Sequence, residues 1–391
     1  MSLRILHIVP SYLPATRYGG PIFSVHGLCK ALALEGHEVH VITTNIDGPG
    51  NSSVPVGQPI DMEGVTVWYF PCPFLRRIYF SPAMGKHLKK QIKRFDIVHL
   101  HSLFLWPVTA GAAAARKLGV PYVISPRGML VHELIRRKSR LAKSLWIMLS
   151  GRPCMEKAAA THFTTQSEKK SAGEFSILFP DPFVIPNGVD PGFFSLSKDV
   201  ADMAGLPERG SYFLFLGRIC WSKGLDRLVA ALVQAPRARL VIAGEDEGLW
   251  SALQEKAKSN GTLERIRYIG PVQGQHKIAL IAGARALVLP SYSESFGMSA
   301  LEAMACGIPV VVTPETGIAD HVRTAGAGIV AEGTAEDFGK ALRGLMENPG
   351  QCKEMGEKGQ QYARDCFSWA AIAKATEKKY TEILNGKARV P

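Results

Sequence analysis

Two stretches place charged side chains directly behind apolar runs, where a loop rather than a core must hold them. The first reads Gly217-Arg-Ile-Cys-Trp-Ser-Lys-Gly224, with Arg218 and Lys223 set between glycines. Diphosphate recognition needs this combination. Glycines such as Gly217 let backbone approach, a helix beginning near Gly224 offers unsatisfied N–H groups, and two cations neutralise charge growing on a departing phosphate. Alone, a loop Arg and Lys are more commonly solvated surface charges. The second stretch runs Pro290-Ser-Tyr-Ser-Glu-Ser-Phe-Gly-Met-Ser-Ala-Leu-Glu302. Glu294 falls in the loop, and Glu302 lies eight residues on, inside a helix expected to start near Gly297 or Met298. Both carboxylates could then accept hydrogen bonds from hydroxyls of one bound molecule. An isolated pair is also what a solvated helix start carries, favoured there by the macrodipole. This pair, however, stands between a strand ending at Leu289 and a Gly-Ile-Pro-Val-Val run.

Elements of a particular kind must position these residues. Short apolar runs alternate with helix-length segments almost throughout, which predicts parallel sheets with crossover helices. Strands are expected at Leu3 to Val9, Glu38 to Thr43, Val65 to Phe70, Asp96 to Leu100, Tyr122 to Ser125 and Thr161 to Thr164. After the Pro-Asn-Gly turn of Val184 to Asp190 the rhythm restarts. It gives strands at Tyr212 to Leu216, Leu240 to Ala243, Arg267 to Ile269, Ala286 to Leu289, Pro309 to Val312 and Gly328 to Val330. Helical patterns include Phe23 to Leu34, Met84 to Arg94 and a tail from Phe367 to Leu384. The fold class is α/β, with lobes at 1–190 and 191–365 and a C-terminal helix in 366–391 that could cross back onto the first lobe. In open α/β sheets ligands sit beyond the carboxyl ends of strands, and two facing sheets would make an interdomain cleft.

In this order the features identify the chain as resembling glycosyltransferase family 4, the retaining, metal-independent nucleotide-sugar enzymes of GT-B fold, and bacterial surface-polysaccharide glycosyltransferases in particular. The resemblance rests on Gly19-Gly20 after the first strand, His99-x-His101, Ile-Pro-Asn-Gly-Val-Asp at 185–190, Gly217-Arg218 with Lys223-Gly224, and Glu294-x7-Glu302 followed by Gly307-Ile-Pro. It implies two doubly wound Rossmann-like lobes. It also implies that Arg218 and Lys223 hold the donor diphosphate, Glu302 the ribose, and Glu294 the hydroxyls of the transferred sugar. Backbone N–H groups at Phe296, Gly297 and Met298 would approach the donor, and Gly19 and Gly20 would form a loop beside the phosphates and acceptor. One departure stands out: where many members read Thr-x-His, this chain reads Ser125-Pro126-Arg127-Gly128. A guanidinium stays protonated and cannot act as a neutral imidazole, so Arg127 is expected to bind an anionic group of donor or acceptor. His99 and His101 share one strand face and are candidates for the cleft or for a structural role.

The implied activity is retaining transfer of a sugar from a nucleoside-diphosphate sugar to a glycan or lipid-linked acceptor in cell-surface polysaccharide biosynthesis. A UDP-sugar is slightly favoured, although nothing near 268–275 separates uridine from guanosine or adenosine. No metal and no separate cofactor are expected; Asp246, in an acidic cluster where a helix begins, reads as a cap. Alternatives are a sugar-nucleotide epimerase or phosphorylase on the same fold, and a non-catalytic scaffold that binds nucleotide sugar or glycan.

Composition narrows the class further. The 391 residues are 46% hydrophobic and 20% charged, enough apolar side chain for real cores. The amino terminus lacks the pattern of a signal peptide. The seven cysteines are never spaced Cys-x-x-Cys, which suggests neither a disulfide framework nor a zinc site. The net charge of +12 falls unevenly, because residues 1–190 hold 22 Lys and Arg against 12 Asp and Glu. The basic segment Leu134 to Trp146 and the aromatic and basic stretch Tyr69 to Arg94 could rest on an anionic membrane surface. A cytoplasmic protein touching the inner face of the membrane is therefore expected, with no nucleic-acid partner, since no recognised module accompanies the charge.

Overall fold

The computed structural model describes residues 2–18, 20–130, 151–175, 177–195 and 207–387. The chain forms two compact units, dividing between Gly188 and Val189 and again between Ser368 and Trp369, so the C-terminal helix Trp369–Lys387 belongs to the first unit.

The first unit is built on an eight-stranded sheet. Its order is Pro182–Val184, Ala160–Phe163, Tyr122–Ser125, Ile97–His101, Arg4–Ile8, Glu38–Thr44, Val65–Phe70 and Pro59–Met62. All pairings are parallel except that of Pro59–Met62 with Val65–Phe70. The central strand Ile97–His101 is buried at every position, as a parallel strand covered on both faces must be. One face packs the helices Gly20–Leu34 and Trp369–Lys387, with Leu28, Leu32, Ile372 and Tyr380 in its core; the other buries Leu88, Val108 and Ile124. The Trp369 indole lies flat between two glycines: a Cβ on Gly27 or Gly188 would come within 2.4 Å of its ring.

The second unit has a six-stranded parallel sheet ordered Ile266–Tyr268, Leu240–Ala243, Phe213–Leu216, Ala286–Leu289, Val310–Val312 and Gly328–Val330. This is the doubly wound order in which the chain starts at the centre, works to one edge, and returns to fill the other. The expected strands therefore all form. The expected tail helix forms too, as Trp369–Lys387, starting two residues later than Phe367 because the preceding helix Pro349–Phe367 ends at Ser368, whose backbone is extended. Val189 pairs there, its N–H donating to the Phe367 carbonyl at 2.9 Å. Among the described residues no helix is long and apolar enough to cross a membrane.

Candidate active site

In the second unit the strand order reverses between Phe213–Leu216 and Ala286–Leu289, and the loops leaving these two strands carry the charged residues. The first passes through a short 3-10 turn, Trp221–Lys223, and enters the helix Leu225–Ala231 at Gly224. Gly224 has φ +63°, and a Cβ there would lie 2.0 Å from the Pro290 carbonyl oxygen, so the two loops can meet only across a glycine. The Tyr292 and Ser293 N–H groups both donate to the Ser222 carbonyl, at 2.8 and 3.2 Å. Gly224→Ala is therefore expected to separate the loops and lower the melting temperature of the second unit by several degrees; unchanged melting with unchanged nucleotide binding would contradict this. Gly217 differs from the expectation. A Cβ there makes only ordinary contacts, and the close approach belongs to Gly244, whose Cβ would lie 1.8 Å from the Gly217 oxygen.

This packing brings Lys223 and Glu294 into a direct ion pair, with side chains only 16% and 17% exposed. Glu294 is fixed through its backbone, donating to the Glu315 carbonyl and accepting from Gly317. The helix Met298–Ala305 starts on Gly297, as expected, and its opening N–H groups have no partners within the helix. The Phe296 ring is buried against Phe367, which leaves only its backbone to meet a ligand. Met298 packs partly buried against the core.

Glu302 sits inside that helix at 8% exposure. One carboxylate oxygen accepts from the Lys277 ammonium at 2.6 Å, while Oε2 is buried without a partner. Burial raises its pKa and the Lys277 charge opposes that rise. A buried acceptor left open is costly unless a donor arrives, and a hydroxyl is the neutral donor that suits it. Arg218 does not join Lys223: it pairs with Glu247 where both are about half exposed. Such a pair contributes about 1 kcal/mol or less. Asp246 caps the next helix, Oδ1 accepting from the N–H groups of Gly248, Leu249 and Trp250 at 2.9 to 3.1 Å.

In the first unit the corresponding reversal lies between Arg4–Ile8 and Ile97–His101, and histidines crowd it. His162 Nε2 donates to the Ile185 carbonyl at 2.8 Å, so its Nδ1 accepts from His99 Nε2 at 3.3 Å, and His99 Nδ1 accepts from the Tyr380 hydroxyl at 2.6 Å. Arg127 donates to His101 Nδ1 at 3.3 Å, and His101 Nε2 then donates to His7 Nδ1 at 2.9 Å. Every tautomer follows, and the last N–H, His7 Nε2, has no acceptor. Burial pushes His7 and His162 down to about 3, and His99 and His101 also lie well below their ordinary value. His99 and His101 are thus enclosed and neutral rather than displayed. The ligand nitrogens of His7, His99 and His101 lie within 4.8 Å of one another, yet five of the six ring nitrogens are engaged in these two chains and the Arg127 cation stands at the end of one. Gly20 opens the helix Gly20–Leu34; Gly19, His132 and the Leu134 to Trp146 segment lie outside the described residues.

Sequence reasoning overlooked Lys277, His7 and His162 as members of these clusters, and no local signal marked them.

Comparison with known proteins decides the family. The family described as Glycosyltransferase Family 4 matches residues 18–193, and that described as Glycosyl transferases group 1 matches residues 200–362. A D-inositol 3-phosphate glycosyltransferase from Segniliparus rotundus is 33% identical across 99% of this chain and 90% of its own length. The chain belongs to glycosyltransferase family 4. This family 4 glycosyltransferase also shares its GT-B fold with solved structures. Sucrose-phosphate synthase from Thermosynechococcus elongatus superposes with a TM-score of 0.79 at 19% identity, covering 98% of this chain and 100% of that one. Anabaena HepE, in complex with UDP and glucose, gives 0.75 at 17% identity, covering 97% and 99%. At such identities the likeness speaks for the fold alone.

Proposed function

We propose that this glycosyltransferase moves a sugar from a nucleoside-diphosphate sugar, a UDP-sugar in the first instance, to a glycan or lipid-linked acceptor in cell-surface polysaccharide assembly, with retention and without a metal. The observation that carries the reading is the meeting of Lys223 and Glu294 from two loops at the strand-order reversal, where a cation for phosphate and an acceptor for sugar hydroxyls stand side by side. On donor binding the Lys223 ammonium turns to the diphosphate, joined by Arg218 released from Glu247, and Glu294 accepts from hydroxyls of the transferred sugar. Glu302 accepts from the ribose through its open Oε2, held in place by Lys277. As the bond to the diphosphate breaks, the two cations stabilise the leaving charge, an oxocarbenium-like sugar forms, and the acceptor hydroxyl enters on the same face, its proton passing to the departing phosphate. The HepE complex with UDP and glucose, on the same fold, fits a nucleotide sugar as the donor.

The aromatic and basic stretch of the first unit supports membrane contact. Phe74, Leu75 and Ile78 are exposed, beside the exposed cations Arg77, Lys86, Lys89 and Lys90, a mixture suited to an anionic lipid surface. An acceptor carried by a lipid at the inner face of the membrane fits this arrangement.

A ligand that binds only the folded state raises its stability, so thermal unfolding with saturating UDP, GDP or ADP tests the reading. UDP is expected to raise the melting temperature and Lys223→Ala to remove the shift. No shift with any nucleotide would move the weight to a non-catalytic glycan-binding role, and turnover of donor without acceptor would favour an epimerase.

A further inference from the structure

Arg127 is a half-buried cation with no ion-pair partner among the described residues. Its backbone lies in the left-handed region at φ 54°, a conformation that a long side chain keeps only where its surroundings over-determine it. Its direct hydrogen-bond partners are uncharged. Nη1 donates to Asn187 Oδ1 at 2.6 Å and to Ser24 Oγ at 3.5 Å, Nη2 donates to His101 Nδ1 at 3.3 Å, and Nε is enclosed with no partner. Among the described residues no carboxylate lies within ion-pair distance. Glu168, the acid whose field reaches it, has both oxygens occupied by the N–H groups of Gly128 and Thr164 and by the Thr164 hydroxyl, at 2.5 to 2.8 Å. Burial lowers Arg127 to about 10, which still leaves it charged at neutral pH.

A half-buried charge lacking a counter-ion is unfavourable, and folding tolerates one mainly where a ligand supplies the missing partner. Enough of Arg127 stays exposed for a small group to reach it. Its planar fork suits a two-oxygen partner, and the histidines behind it are held neutral, so they would not compete for an anion. The second unit meanwhile carries its own two cations for a donor diphosphate. The charge excess of the chain lies mostly in residues 1–190, so an anionic ligand is drawn to the first unit.

We propose that Arg127 anchors an oxyanion site in the first unit that receives a phosphate or carboxylate carried by the acceptor. Asn187 and His101 are its positioning residues. The proposal rests on the transferase reading above but is tested without turnover, so the two can fail separately.

The full-length protein is melted with UDP at saturation while inorganic phosphate is added against chloride of equal ionic strength, and a parallel series uses glucuronate. The wild type is expected to gain several degrees with one of the two anions, which identifies the group. Arg127→Met should abolish that gain, keep the full UDP shift, and melt without ligands at or above the wild type, because an uncompensated half-buried charge has gone. Arg127→Lys, which keeps the charge but loses the fork, should retain only a fraction of the anion shift. The proposal is overturned by an anion shift that survives in Arg127→Met, by no shift with either anion, or by Arg127→Met melting well below wild type. Loss of the UDP shift in that variant would also overturn it, assigning Arg127 to the donor phosphate.

Discussion

Glu294→Gln is expected to lower kcat by about 10²-fold to 10³-fold, the range in which a single preorganised polar group at a reacting centre acts, while UDP still stabilises the protein. The amide keeps the shape of the side chain and can still hydrogen-bond Lys223, so the loops beyond Leu216 and Leu289 stay joined through Ser222, Tyr292 and Ser293. What it loses is the charge that accepts from sugar hydroxyls and balances an electron-poor ring. Lys223→Ala acts on the other partner: it leaves Glu294 mostly enclosed without its cation and removes a diphosphate contact, so both UDP binding and turnover should fall. Following donor consumption and product formation by chromatography distinguishes the two. Near-normal turnover in both variants would sink the proposed mechanism.

The second large effect is acid lability of the first unit. His7 and His162 titrate near 3 when folded and near 6.5 when unfolded. Between those values the unfolded chain binds more protons than the folded one, so stability rises with pH across the window and is lost as pH falls below about 6.5. Each histidine contributes a slope of up to about 1.4 kcal/mol per pH unit, and these two together about 3 kcal/mol per unit. His99 and His101 shift in the same direction. Urea unfolding at pH 7.0, 6.0 and 5.0, above most carboxylate titration, isolates the histidines. The midpoint for the first unit should fall steeply, and a flat profile would mean that the chain takes up protons without opening.

How much of this could be read from residues alone depended on how local the cause was. Val310–Val312 and Phe213–Leu216 are buried on both faces and read directly as strands. Lys223 and Glu294 were legible because they follow such strands, at the end where ligands gather. Pro59–Met62 was missed: it is a short edge strand opening on proline, with no residue fully buried, and paired antiparallel. Lys277 was missed because nothing near it points to Glu302, 25 residues away on another helix. The histidine chain was invisible as a unit, since His7, His99 and His162 come together only through the order of three strands and a tyrosine from the far end of the chain. The tail helix was legible to within two residues of its start, the offset arising because Ser368 is extended and paired with Val189.

The return of the chain at Trp369 to the unit it left at Gly188 has a consequence for how the protein is made. Domains usually fold in the order in which the ribosome delivers them, the amino-terminal one first. Here the first unit emerges early but lacks the indole that fills the space between Gly27 and Gly188 and the hydroxyl that ends the histidine chain at His99. The second unit, uninterrupted from Val189 to Ser368, is therefore complete on the nascent chain before the first. Until Tyr380 has been synthesised, the lobe that begins the protein waits for the residues that finish it.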